Sequence, residues 1–111
     1  MEAIEKQLRF YLTASGGSPF ERWFLKLRDK TAKEKILIRL ARLRLGNFGD
    51  CKSLGQGIYE LRICHGPGYR IYFGLGSEQI VLLLLGGDKN TQQRDVYSSQ
   101  YEFLLKTVCL F

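Results

Sequence analysis

A hairpin signal near the middle of the chain constrains the fold most. The stretch ELRICHGPGYRIYF, residues 60–73, has alternating apolar residues on both sides of a Gly-Pro-Gly sequence. The glycines and proline are typical of a tight turn, and the period of two is typical of strands that bury one face. If the apolar residues face the core, Arg62 and Arg70 lie together on the other face, where like charges oppose each other.

Helix signals precede this hairpin. Ser18 and Glu21 form a capping box around Pro19, which predicts that a short helix begins there. Thr31 and Glu34 form a second capping box, and we expect the next helix to begin at Thr31. Its predicted buried stripe is Ile36, Leu37, Leu40 and Leu43, and Gly46 ends it.

Strand signals account for much of the remaining chain. Residues 3–13 predict a first strand, and residues 58–64, 69–75 and 79–85 predict three consecutive strands. Residues 46–57 contain four glycines without periodicity, which indicates an exposed loop. A last helix is expected from about Thr91.

This order predicts one α+β domain over residues 1–111, with an antiparallel-rich, twisted sheet. The order is a strand, two helices, a three-stranded meander and a C-terminal helix. We expect the helices to pack on one face of the sheet. The other face is then open, and Glu60, Arg62, Arg70 and Tyr72 point towards it.

The charge distribution suggests the kind of partner. The chain carries 17 basic and 11 acidic residues, a formal net charge of +6, and the basic residues are concentrated between Arg22 and Arg70. A basic surface favours a polyanionic partner, with nucleic acid first among the candidates. A basic surface that only keeps the protein soluble is the alternative.

Cysteine, histidine and apolar content argue against several other classes. The three cysteines form no CxxC pair and there is one histidine, so we expect no structural zinc and a reducing compartment. The run Ile80–Leu85 is too short to cross a membrane, and residues 1–17 lack a signal-peptide core. A cytoplasmic protein with no metal, no cofactor and no membrane partner is therefore expected.

Four motifs carry a resemblance to a known family. They are GNFGDCK, ELRI, GPGYRIYF and GGDKNTQ, in that order along the chain. With them the chain resembles the phage-derived, HigB-like addiction-module killer proteins of the RelE/ParE toxin superfamily, over nearly its whole length. The resemblance implies a RelE-like fold and a type II toxin that cleaves mRNA on the ribosome without a metal and inhibits translation. It also implies a cognate helix-turn-helix, HigA-like antitoxin.

The resemblance also implies roles for particular residues. Arg62 and Arg70 match basic residues of the nucleases, and Arg70 matches the arginine that stabilises the scissile phosphate. Lys89 matches a basic residue after the last strand, and Tyr97 stands in for a late tyrosine. Glu60 occupies a position where well-known members have lysine.

The residues themselves suggest further roles in metal-free RNA cleavage, which needs a base, cations for the phosphorane and a proton for the leaving oxygen. His65 and Glu60 are the candidates for proton transfer, and Glu60 is alternatively a salt-bridge partner of the arginines. Lys52 is a candidate RNA contact, and Tyr72 is a candidate for stacking on a base.

Two other functions remain open at this point. The same fold serves ParE-type inhibitors of DNA gyrase, and a decayed module leaves an inactive protein that only binds its antitoxin. The arginines on the open face favour the ribonuclease, since a gyrase inhibitor has no need of phosphate ligands there.

Overall fold

The computed structural model describes residues 5–77 and 79–109, which form a five-stranded sheet and three α-helices. The elements in chain order are β1 (Gln7–Phe10), α1 (Pro19–Lys26), α2 (Lys30–Arg44), β2 (Cys51–Gly55), β3 (Ile58–Ile63), β4 (Tyr69–Ser77), β5 (Ile80–Asp88), a 3-10 turn (Lys89–Thr91) and α3 (Gln92–Cys109). Residues 3 and 4 of the predicted first strand lie outside the described residues. None of the helices within the described ranges is long and apolar enough to cross a membrane.

The sheet confirms the predicted α+β class and the three-stranded meander. Its strand order is β1-β5-β4-β3-β2, and the pairs β2–β3, β3–β4 and β4–β5 are antiparallel. Strand β1 pairs with β5 in parallel. A parallel pair needs a long crossover between its strands, and the segment that contains α1 and α2 is part of that connection.

Side-chain caps fix the starts of α1 and α2. Ser18 caps α1 as predicted, since its hydroxyl accepts a hydrogen bond from the Glu21 amide at 3.1 Å. Helix α2 begins earlier than predicted, because Asp29 rather than Thr31 is its N-cap and accepts from the Ala32 amide at 3.1 Å. Aspartate caps a helix at least as well as threonine.

Helices α1 and α2 cover one face of the sheet and build the main apolar core. Leu61, Ile71 and Phe73 from the meander are completely buried there against Ile36 of α2. Leu37, which the sequence placed in the buried stripe, is instead 54% exposed. The prediction was wrong because Leu37 lies at the side of the helix, facing away from the sheet's centre.

Helix α3 lies on the opposite face of the sheet, so the expectation of helices on one face only was wrong. Phe103 packs there with Ile58, Tyr72 and Leu84 in a second cluster. The glycine pair in β5 shows the two-sided packing. A side chain at Gly86 would collide with Trp23 of α1, whereas one at Gly87 would collide with Asp95 of α3.

Strand β2 lies within the segment that was predicted to be an exposed loop. It pairs with β3 as an edge strand, and Lys52 is the register partner of Glu60. Its sequence, CKSLG, lacks alternating apolar residues. Such a pattern is not needed here, because an edge strand can form by backbone pairing alone and this one buries little side-chain surface. Periodicity therefore gave no signal for it.

Candidate functional site

The arginine pair, Arg62 and Arg70, lies on the sheet face that carries α3. The two residues are direct register partners across β3 and β4, as the hairpin pattern predicted. Their side chains are partly accessible, with 36% of Arg62 and 15% of Arg70 exposed. Two guanidinium groups thus reach the surface at adjacent positions of a rigid hairpin.

Glu60 lies between the arginines and supplies a negative charge. Its side chain is completely buried, and its Oε1 accepts a hydrogen bond from Arg62 Nε at 2.8 Å. The Nε atom of Arg70 lies 3.6 Å from the same oxygen. The like-charge repulsion expected from the sequence is therefore offset inside the protein, since one carboxylate faces both cations.

Gln92 completes this group from the first turn of α3. Its Nε2 donates to Glu60 Oε2 at 3.0 Å and lies 3.3 Å from Oε1. Sequence reasoning assigned Gln92 no role, although it ends the GGDKNTQ motif. The only sequence signal for Gln92 was its position in that motif. Its contact with Glu60 was missed because the sequence did not predict that α3 packs against β3.

The pKa values in the cluster follow from these contacts. Burial alone raises the pKa of Glu60, but the hydrogen bonds from Arg62 and Gln92 outweigh it and hold that pKa below its ordinary value. The same bond to Glu60 raises the pKa of Arg62. Glu60 is therefore an ionised carboxylate at neutral pH and a weak proton acceptor.

Lys89 lies beside Arg70 at the turn between β3 and β4. Arg70 Nη1 donates to the Gly68 carbonyl at 3.1 Å, and the Lys89 amide donates to the Pro67 carbonyl at 3.4 Å. A side chain on Gly68 would begin 3.6 Å from Arg70 Nη1 and 3.7 Å from Lys89 Cβ. The backbone of the exposed Lys89 therefore lies at the turn that Arg70 contacts, although Lys89 is not among the residues that line the concavity beside that turn.

A shallow concavity of about 200 Å³ opens at this end of the hairpin. Arg62 and Arg70 line it together with Gly68, Asp50 and the exposed Cys64. A planar guanidinium presents two parallel N–H donors to a phosphate, and two of them on adjacent strands can bind one phosphate from both sides. Ile63, Tyr69 and the acidic Asp50 also line the concavity, so the part of it that suits an anion is the side where the two guanidinium groups lie.

Arg39 of α2 contacts the backbone of the strands beside the site. Its guanidinium donates to the backbone carbonyls of Arg62 at 2.5 Å, Asp50 at 3.1 Å and Phe48 at 3.3 Å. The sequence indicated only a solvated residue on a basic helix face. Arg39 in fact ties the helical layer to the start of β2 and to the strand that carries Arg62.

His65 is held away from this cluster. Its Nε2 lies 2.9 Å from Asp29 Oδ2, and its ring stacks on Tyr69 with centroids 6.5 Å apart. The contact with His65 and the Ala32 amide lower the pKa of Asp29, the N-cap of α2. His65 therefore connects the hairpin turn to the helical layer, and the structure does not bring it to Glu60 or the arginine pair.

The three predicted RNA contacts differ in exposure. Lys52 is exposed on β2 opposite Glu60, and Tyr97 is exposed on α3, so both are accessible to a ligand. Tyr72 is completely buried under α3, which makes the predicted stacking on a base wrong for this structure. Its hydroxyl makes no hydrogen bond of normal geometry within the described residues, but it is near enough to Glu60 to lower the pKa of that carboxyl.

The described residues contain no cluster of metal ligands, and the thiol of Cys51 is unreactive. Within residues 5–77 and 79–109, no group of three or more His, Cys, Asp or Glu side chains is placed to hold a metal ion. Cys51 is half-buried, and burial raises the pKa of its thiol to about 11. This thiol is therefore protonated at neutral pH and is a poor nucleophile.

Comparison with known proteins assigns most of the chain to one family. Residues 22–102 match the family described as phage derived protein Gp49-like (DUF891). A protein of Haemophilus influenzae (strain ATCC 51907 / DSM 11121 / KW20 / Rd), described as an uncharacterized protein, is 51% identical over 77 residues. That alignment covers 69% of this chain and 78% of the relative. The chain belongs to the Gp49-like family of phage-derived proteins.

Proposed function

We propose that this protein is the toxin of a type II toxin-antitoxin module and cleaves mRNA on the ribosome without a metal. The observation that carries the proposal is the arginine pair, whose members are direct partners across β3 and β4 and line one concavity. Membership of a phage-derived family supports the toxin role, and the resemblance to HigB-like killer proteins supplies the reaction.

In the proposed reaction the ribose 2′-oxygen attacks the adjacent phosphorus, and the bond from phosphorus to the 5′-oxygen breaks. The products are a 2′,3′-cyclic phosphate and a 5′-hydroxyl, so one proton leaves the 2′-hydroxyl and one reaches the 5′-oxygen. Negative charge grows on the phosphorane oxygens between these events. Arg62 and Arg70 hold that charge with forked hydrogen bonds, and Lys89 adds a third cation.

Glu60 acts in this proposal as a positioning residue and not as the proton acceptor. It is completely buried, its pKa is below the ordinary value, and both of its oxygens already accept hydrogen bonds. A carboxylate in that state cannot reach a ribose hydroxyl. Its contribution is to orient the two guanidinium groups before the RNA binds.

The proposal includes a partner and a compartment. Such a toxin is silenced by a cognate helix-turn-helix antitoxin, and mRNA on the ribosome is its substrate. Both are found in the bacterial cytoplasm, where we expect this protein to act. The +6 net charge supports an RNA substrate, since phosphate contacts supply much of the affinity of proteins for nucleic acids.

Induction of the lone chain in a bacterial host tests the proposal. We expect growth arrest and new mRNA 5′ ends within translated regions, seen by mapping 5′ ends genome-wide. The Arg70→Ala variant should give neither effect. Arg28→Ala is the matched control, because Arg28 is an exposed arginine outside the concavity, and it should behave as the unchanged protein.

Two outcomes contradict the proposal. One is that the lone chain accumulates in soluble form without a growth defect or new 5′ ends. The other is growth arrest with intact mRNA, which would indicate a different target such as DNA gyrase.

A further inference from the structure

A second concavity, of about 360 Å³, lies far from the arginine pair, between the edge strand β1 and helix α2. We call it the edge groove. Leu8 and Phe10 of β1 line it on one side, and Leu37, Ala41 and Arg44 of α2 line it on the other. The three α2 residues recur at intervals of four and three, so they form one stripe along the helix.

The edge groove exposes large apolar side chains to solvent. Phe10 is 45% exposed and Leu37 is 54% exposed, although both line the same depression. A group of exposed apolar side chains on a folded domain often marks a binding surface, whereas a single exposed leucine does not. The groove faces the helical layer of α1 and α2, so it is separate from the site on the α3 face.

Among the residues that the structure describes, the outer side of β1 has backbone groups at Leu8 and Phe10 that pair with no other strand. The Lys6 amide just before β1, by contrast, donates to the Arg44 carbonyl of α2 at 2.5 Å. The Gln7 amide donates to the Gln79 carbonyl at 2.6 Å, and the Tyr11 amide donates to the Leu83 carbonyl at 2.9 Å. In a parallel pair, alternate residues point their N–H and C=O groups to opposite sides of the strand. Because β1 is the outermost strand, those groups of Leu8 and Phe10 face outwards, next to their own groove-lining side chains.

Two exposed arginines lie at this edge, and one acidic residue, Glu5, is exposed just before β1. Arg9 is exposed on the opposite side of β1 from the groove, where it donates to Gln7 Oε1 at 2.9 Å, and Arg44 lies at the groove itself. A second copy of this chain is disfavoured there, because paired β1 strands would bring Arg9 of each copy close to the other. A segment with negative charge is complementary to the same edge.

We propose that β1 and the edge groove bind an extended segment of another protein, in which apolar and acidic residues alternate. The segment adds a sixth strand to the sheet by pairing with the free backbone groups of Leu8 and Phe10. Its apolar side chains enter the groove towards Leu37, and its acidic side chains lie beside Arg9. The inference concerns partner binding and does not depend on the ribonuclease activity proposed above.

A synthetic peptide of about six residues, the usual strand length, tests this surface on the full-length protein. Its sequence alternates leucine and glutamate, and the control peptide has the same composition with the leucines together and the glutamates together. Amide hydrogen exchange is the measurement. The alternating peptide should slow exchange of the Leu8 and Phe10 amides, and the control peptide should not.

Two groove variants and one matched control sharpen the test. Leu37→Gln should weaken binding of the alternating peptide about tenfold, as expected for one lost apolar contact, and Arg9→Gln should weaken it severalfold. Leu25→Gln replaces an exposed leucine of α1 that does not line the groove, and it should leave the affinity unchanged. All three positions are exposed, so folding should be retained, which thermal midpoints will verify.

The proposal is overturned by any of four results. These are absence of peptide binding, equal binding of the two peptides, equal effects of Leu37→Gln and Leu25→Gln, and concentration-dependent self-association that protects Leu8 and Phe10 without peptide. The last result would assign the edge to a second copy of this chain. Because none of these measurements uses RNA, a failed ribonuclease assay does not affect them.

Discussion

The two faces of the sheet both bury apolar side chains, but only one of them also buries a charged group. On the face covered by α1 and α2, the meander contributes Leu61, Ile71 and Phe73, all completely buried in an apolar cluster. On the face covered by α3, the same two strands contribute Glu60 and Tyr72, also completely buried. Adjacent residues of β3 and β4 thus enter a wholly apolar core on one side. On the other side, the charged group of Glu60 lies in the same layer as a second apolar cluster around Phe103.

This difference suggests that the face covered by α1 and α2 stabilises the fold and that the face covered by α3 serves binding. Burial of apolar side chains stabilises a fold without needing partners. Buried charged groups contribute little net stability, because desolvation cancels much of their attraction. Glu60 and the two arginines occupy three neighbouring positions of the β3–β4 hairpin that apolar residues could fill. We infer that they are there for a reason other than stability, namely anion binding.

The largest expected loss of stability lies on the apolar face. Leu61→Ala should lower the free energy of unfolding by about 2–5 kcal/mol, through lost burial and the cavity that remains. Chemical denaturation measures it. The control is Leu37→Ala, which removes a 54% exposed leucine and should change stability by less than about 0.5 kcal/mol. Similar losses for both variants would mean that the apolar face is not the stabilising one.

Glu60→Gln should have an intermediate effect. The substitution keeps the shape of the side chain but removes the negative charge that faces Arg62 and Arg70. We expect a loss of about 2 kcal/mol at pH 7, which is less than for a fully buried pair because the arginine side chains are partly exposed. Glu34→Gln on exposed α2 is the control. A more stable Glu60→Gln protein would show that the arginines do not repel each other.

The pH dependence of stability separates the charge from the shape of Glu60. The pKa of Glu60 is below the ordinary value of 4.5. The stability that its negative charge supplies is therefore fully present above pH 4.5, and it is lost as the pH falls through the lowered pKa. Thermal midpoints of the unchanged protein should therefore fall more steeply below about pH 4 than those of Glu60→Gln. Asp29 also has a lowered pKa, and its contribution remains in both proteins. Parallel curves would contradict the account.

Tyr72→Phe should have the smallest effect. It removes a completely buried hydroxyl that makes no hydrogen bond of normal geometry among the described residues, although its interaction with Glu60 helps to lower the pKa of that carboxyl. Stability should change by no more than about 1 kcal/mol, since the removal of a buried polar group is opposed by the loss of its weak interaction with Glu60. A loss above that size, measured by chemical denaturation, would show that the hydroxyl holds a water molecule or a partner.

The sequence predicted the apolar face better than the polar one. Local signals, such as the Ser18 cap and the alternation around Gly66 and Gly68, act within a few residues and were confirmed. The juxtaposition of Arg62 and Arg70 followed from the same alternation. The position of α3 could not be predicted from this alternation, because it depends on the space that Gly74 and Gly87 leave on the sheet face opposite α1 and α2.

The wrong predictions about the site also result from the unpredicted position of side chains and elements that are distant in sequence. Tyr72 was predicted to be open to RNA and is buried, because α3 covers the face that was thought to be free. Gln92 was missed since its contact with Glu60 joins residues 32 positions apart. His65 was placed near the arginines by sequence distance, yet its side chain turns to Asp29 in the helical layer.

The most direct test of the central claim measures Arg70→Ala and Arg70→Lys for stability and ribosome-dependent mRNA cleavage on the same purified samples. If the arginine pair stabilises the reacting phosphate, Arg70→Ala loses cleavage by about 10²–10³-fold, and Arg70→Lys recovers only part because lysine lacks the forked donors. The thermal midpoint changes little, since Arg62 and Gln92 still hold Glu60. A destabilised Arg70→Ala protein that cleaves mRNA at the normal rate would contradict the claim.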